Sequence, residues 1–94
     1  MKKILIIDDE RAIRSTLKEI LEFEKYNVDD AEDGKIGLLL AKKSNYDLIF
    51  CDIKMPKMDG LEFLENKEKE NIFCPTIMIS GHGTIETAVK SLQK

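Results

Sequence analysis

The sequence has no apolar stretch approaching the roughly 18–20 residues needed to cross a bilayer, so no membrane-spanning helix is expected. Cysteine is sparse: Cys51 and Cys74 lie far apart, with neither a C-x-x-C spacing nor a Cys/His cluster. Neither a disulfide framework nor a structural zinc site is expected on that count. Basic charge is not in excess either, since 18 acidic against 15 basic side chains leave a net charge of −3. A chain that holds DNA or RNA by neutralising phosphates shows the opposite balance, so direct nucleic-acid binding is not expected. There is one histidine, His82, between two glycines and without companions, and it reads as an exposed loop side chain rather than a metal ligand. The basic start Met1-Lys2-Lys3 followed by Ile4–Ile7 imitates a signal peptide, but the apolar run stops at Asp8-Asp9 and no small-residue cleavage site follows. A cytoplasmic protein is the expectation.

What is present suits one folded domain over residues 1–94, with 43% hydrophobic and 35% charged residues. Three short, continuous apolar runs (Ile4–Ile7, Leu48–Cys51 and Thr76–Ile79) read as strands covered on both faces. Tyr26–Ala31 alternates apolar with acidic residues, as an edge strand does. Helical patterns fill the intervals. Ile13, Leu17, Ile20 and Leu21 share one helix face, and Asp33-Gly34 opens a second helix bearing Ile36, Leu39 and Leu40. Asp59-Gly60-Leu61-Glu62 has the form of a capping box before a third helix. Leu61 and Leu64 are expected to face inward there, with Glu65–Asn71 as a solvated charge run. A fourth stripe, Ile85, Ala88, Val89 and Leu92, follows Thr84 as N-cap. Strand and helix thus alternate four times, which predicts an α/β fold with a parallel sheet between helical layers.

Ligands of open parallel sheets bind beyond the carboxyl ends of the strands. Asp8-Asp9 follows the first strand, Asp52 the third, and Ser80-Gly81 the fourth. If the first and third strands are neighbours, three carboxylates meet at one edge. Such groups repel and raise each other's pKa values unless a cation relieves them. Oxygen-only ligation by few side chains suits Mg²⁺. The plainer alternative is that Asp8 and Asp9 only cap the first helix. Pro56 and Gly60 make a turn of Ile53–Gly60, able to direct a carbonyl such as that of Lys54 back toward the cation. The hydroxyl of Ser80 and the amides after Gly81 lie opposite, completing a phosphoryl receptacle in which Asp52 is the nucleophile. Cys51 should point to the opposite face of its strand from Asp52, and Cys74 falls in a loop. Met55 and Met58 should seal the core. Gly81-x-Gly83 lacks the third glycine of a dinucleotide fingerprint.

These features taken together resemble the receiver domain of two-component response regulators: Asp8-Asp9, Asp52, Met55-Pro56-x-Met58-Asp59-Gly60 and Ser80-Gly81, in order across the chain. The run from Ser80 to Val89 is similar to receivers of nitrogen-regulation activators. The resemblance implies a flavodoxin-like, doubly wound three-layer αβα fold with strand order 2-1-3-4-5. It implies a phosphoacceptor switch rather than a turnover enzyme, with Asp52 phosphorylated by a sensor histidine kinase or phosphotransfer protein. Mg²⁺ would be held by Asp9, Asp52 and the Lys54 carbonyl, and by Asp8 through water. Ser80 would be the switch hydroxyl and Gly81 a backbone contact to the phosphoryl group.

The family pattern continues with a fifth strand and helix that carry an aromatic switch residue and a phosphate-pairing lysine, whereas this sequence ends at Lys94. Lys54, Lys57, Lys90 and Lys94 occupy other positions, so the chain reads as a receiver truncated before its fifth βα unit. On that reading Thr76–Ile79 is an uncovered edge, and the chain is expected to pair or swap into a homodimer or larger oligomer through this strand and the fourth helix. Two other functions fit the acidic site: a Mg²⁺-dependent phosphatase with an aspartyl nucleophile, and an association module with a vestigial site. Against the first, Lys54 stands where the dehalogenase-type enzymes place their second aspartate, the proton donor.

Overall fold

A computed structural model describes residues 2–55 and 57–79. The order of elements is β1 (Lys3–Ile7), α1 (Arg11–Phe23), β2 (Asn27–Ala31), α2 (Gly34–Lys43), β3 (Leu48–Asp52), α3 (Gly60–Lys69) and β4 (Thr76–Ile79). The strands form one parallel sheet in the order β2-β1-β3-β4. The fourth helical stripe, together with Pro56, Ser80, Gly81 and His82, lies outside the described residues.

Alternation along the strands builds two cores. Ile4, Ile6, Val28, Phe50 and Ile79 project to one side, where Leu17 and Leu21 of α1 cover them. Leu5, Ile7, Ile49 and Cys51 project to the other, against Ala41 of α2 and Phe63 of α3. Continuous apolar runs are what a sheet sandwiched in this way demands, and the expected three layers are present.

The helix caps also form as the sequence indicates. Asp33 Oδ1 accepts the Ile36 N–H and Asp59 Oδ1 accepts the Glu62 N–H, each at 2.9 Å. Three helix faces differ from expectation: in α1, Ile20 is 39% exposed and only Leu17 and Leu21 are buried. Leu61 is 62% exposed, whereas Gly60, Phe63 and Lys67 are the buried positions of α3. Gly60 sets this phase, because a Cβ there would stand 2.6 Å from the Asp52 carbonyl oxygen and would also strike the Met78 side chain. Only a residue without a side chain lets the helix start so close to β3, and Leu61 is thereby turned outward. Lys67 accordingly leaves the solvated run assigned to it. In α2, Leu39 is 56% exposed, while Gly34, Gly37 and Ala41 are buried, Gly34 against Met58 of the turn after β3. Gly37 abuts the Ile7 side chain, so here too a glycine takes the inward position.

Candidate functional site

Strand register brings the aspartates together. Ile7 pairs with Cys51, so one step further Asp8 comes level with Asp52. Alternation sends Asp52 to the side of Phe50 and Asp8 to the side of Ile6, the α1 side of the sheet. Cys51 points the other way into the α2/α3 core, as expected, and burial pushes its thiol up to about 12, which makes it a packing residue rather than a nucleophile. Cys74 is a half-buried loop residue, Met55 is buried and Met58 packs on the same core.

Asp8, Asp9 and Asp52 each offer a carboxylate oxygen, and these atoms lie within 4.8 Å of one another. Asp8 is buried, Asp52 half-buried and Asp9 exposed. Asp8 Oδ1 accepts the Glu10 N–H at 2.8 Å, and Glu10 itself is the N-cap of α1. The capping alternative is therefore met only at the cap residue, and by Asp8 alone. Lys54 meets the site through its N–H, which donates to Asp52 Oδ1 at 3.3 Å. The turn after Asp52 is held by bonds from Ile53 N–H to Ile79 O at 3.1 Å and from Gly60 N–H to Ile53 O at 2.9 Å. Lys57, at a left-handed φ of 68°, reaches across to Asp33 at 3.7 Å and ties this turn to α2.

The electrostatics follow from crowding and burial. Asp8 is raised to about 6, chiefly by desolvation and further by Asp52, Asp9 and Glu10, while the Glu10 N–H opposes the shift. Asp52 is also raised by desolvation and by Asp9, against the amides of Lys54 and Ile53. Three crowded carboxylate oxygens, two of them on groups whose pKa is raised, suit a small hard cation, and Mg²⁺ fits this donor set. Such a cation competes with protons. Between pH 5 and 6 the affinity for Mg²⁺ should rise with pH, by up to about tenfold per unit for one proton displaced, and flatten above the Asp8 pKa. Calorimetric titration across that range checks the slope.

Sequence reading missed one part of the site. The Arg14 guanidinium donates from Nη1 to the Asp8 carbonyl at 2.7 Å and from Nε to Asp30 Oδ2 at 2.9 Å. An arginine one turn into the first helix, with an acidic residue at the end of the neighbouring strand, was the available signal.

A family model described as the response regulator receiver domain matches residues 4–94. The chain belongs to this family. It is 42% identical to the nitrogen assimilation regulatory protein NtrX of Azorhizobium caulinodans, over 97% of this chain and 20% of that protein. The transcriptional regulatory protein ResD of Bacillus subtilis is 37% identical over 97% of this chain and 38% of its own length. The receiver thus spans a fifth to two fifths of these curated relatives. Among solved structures, the receiver domain of the hybrid histidine kinase CckA superposes with a TM-score of 0.84 at 29% identity, covering 97% of this chain and 95% of that one. A receiver domain protein from Methanospirillum hungatei reaches 0.81 at 40% identity, over 99% and 74%. A chain in the crystal structure of histidine kinase ThkA with response regulator protein TrrA matches at 0.78 and 40% identity, over 87% and 72%. The flavodoxin-like fold expected of a receiver is therefore the fold observed.

Proposed function

We propose that this receiver is a phosphoacceptor switch whose Asp52 takes a phosphoryl group from a phosphohistidine of a sensor kinase. The observation that carries this reading is the convergence of Asp8, Asp9 and Asp52 at the carboxyl end of the sheet. An Asp52 carboxylate oxygen forms a bond to phosphorus as the donor's P–N bond breaks; the phosphoryl group remains as an acyl phosphate and the imidazole leaves. Asp9 and Asp52, with the Lys54 carbonyl, are the ligands proposed for Mg²⁺, and Asp8 acts through water. Bound there, Mg²⁺ supplies charge neutralisation for the phosphoryl oxygens and keeps the carboxylates ionised.

Asp8, sheltered and fixed by the Glu10 N–H, keeps a second negative charge beside the nucleophile and so favours the cation. The N–H groups of Lys54 and Ile53 orient Asp52. Ser80 is the hydroxyl and Gly81 the backbone contact proposed to sense the phosphoryl group and pass the change to the residues that follow. No proton donor stands two residues beyond Asp52, where Lys54 lies, which favours a held modification over turnover. The regulators among its relatives point to transcriptional output as the process served. The kinase–regulator complex among its structural neighbours supports a kinase as donor.

Incubation with acetyl phosphate and Mg²⁺ should add the mass of one phosphoryl group, located on Asp52 and absent when the metal is chelated. A phosphoryl group on any other residue, or none with metal present, would overturn the assignment.

A further inference from the structure

The structure assigns Arg14 as a positioning residue that holds the Asp8–Asp9 peptide in the geometry needed to bind the cation. This inference rests on the proposed Mg²⁺ site. The Arg14 side chain is 13% exposed and its fork is spent on two partners, the Asp8 carbonyl and the Asp30 carboxylate. Lys18 also reaches Asp30, with its Nζ 3.6 Å from Oδ1, so the anchor on β2 is itself held from α1. On the other side of Asp8, its N–H donates to Ala31 O at 3.1 Å. The residue is thus gripped at N–H, carbonyl and carboxylate by β2, Arg14 and the start of α1.

The consequence for Asp9 follows from peptide geometry. The Asp8 carbonyl lies in the rigid plane that ends at the Asp9 Cα, so fixing that oxygen fixes where the exposed Asp9 begins. Asp9 is the least buried of the three carboxylates and most needs placement from its backbone. Interactions that orient metal-binding groups typically change metal affinity by about 10–100-fold when removed.

The sign of the effect separates this role from a simple charge. A cation near a Mg²⁺ site repels the metal, so an arginine acting only through its charge would, when removed, strengthen binding. A clamp would, when removed, weaken it. Arg14→Met keeps the stem and deletes the fork; its Mg²⁺ dissociation constant should rise about tenfold by calorimetry. Arg14→Lys keeps the charge without the two-pronged reach and should weaken binding in the same direction. Asp30→Ala should reproduce the loss, and the Arg14→Met/Asp30→Ala pair should be no weaker than the worse single variant, because both break one clamp.

If Arg14→Met does not fold, Arg14→Lys carries the same test. Unchanged or tighter Mg²⁺ binding in the folded variants, with normal binding in the parent chain, overturns the clamp. Absence of Mg²⁺ binding in the parent chain overturns the metal site instead, and the clamp with it.

Discussion

Asp52→Asn should stop uptake of a phosphoryl group from acetyl phosphate while making the metal-free domain more stable at pH 7–8. The two effects have opposite signs because the carboxylate that the proposed transfer requires is also electrostatically costly. Asp8, Asp9 and Asp52 crowd their charges at the sheet edge, and burial adds to the cost for Asp8 and Asp52. A carboxyl whose folded pKa lies above its unfolded value binds its proton more tightly in the native state. Native stability then falls as pH rises from the unfolded value of 3.8 through the folded one, about 6 for Asp8, and the penalty is complete above it. For Asp8 the shift corresponds to about 3 kcal/mol at most.

Making the neighbour at position 52 neutral relieves part of that repulsion. A gain of about 1 kcal/mol is in the range for removing unfavourable charge, or roughly 4–8 °C in Tm for a domain of this length. Added Mg²⁺ should reverse the ranking. The parent chain gains stability by mass action as the cation binds, and the variant, with one oxygen donor of reduced charge, gains less. Thermal melts at pH 7.5 with and without Mg²⁺, beside mass spectrometry of donor-treated protein, read both effects. Label uptake by Asp52→Asn at the parent rate would show that the nucleophile is another residue. A variant less stable than the parent without metal would show that the carboxylates are not in conflict.

Much of the site was legible in the sequence because its placement depends on strand ends. The runs Ile4–Ile7 and Leu48–Cys51 are too apolar for any but a doubly covered parallel sheet, and an aspartate at or after each run must emerge at the same edge once β1 and β3 are paired. The β4 run matches the observed strand, and the weakly apolar β2 does lie at the end of the order, beside β1. The Arg14 clamp left only a faint signal, an arginine one turn into α1 and an acidic residue near the end of β2. Its partner Asp30 belongs to a strand read only as an edge strand, and its other partner is the Asp8 backbone carbonyl, which has no signature in a sequence. The contact of Lys57 with the buried cap residue Asp33 was not legible, since it depends on a turn reaching a neighbouring helix.

The phase of α3 illustrates the same limit and yields the largest expected stability effect. Apolar spacing alone selects Leu61 and Leu64 as the inward pair. The helix is instead set by Gly60, whose backbone packs where Asp52 ends β3, so the inward series runs Gly60, Phe63, Lys67. Phe63 is wholly buried against the α2/α3 face of the sheet, whereas Leu61 is 62% exposed. Phe63→Ala should therefore cost about 3–5 kcal/mol, through lost transfer energy and the cavity left behind. A domain this small holds only about 5–15 kcal/mol in total, so the variant should lose between a fifth and all of its stability. Leu61→Ala should change stability by no more than about 0.5 kcal/mol. Urea denaturation followed by circular dichroism ranks the pair, and the inverse order would mean that the apolar spacing, rather than the close approach at Gly60, sets the helix. Since the Gly60 N–H also closes the turn after Asp52 onto Ile53, loss of Phe63 should loosen the loop after Asp52 along with the core. Mg²⁺ affinity and phosphoryl uptake should then fall with stability in Phe63→Ala and remain at the parent level in Leu61→Ala.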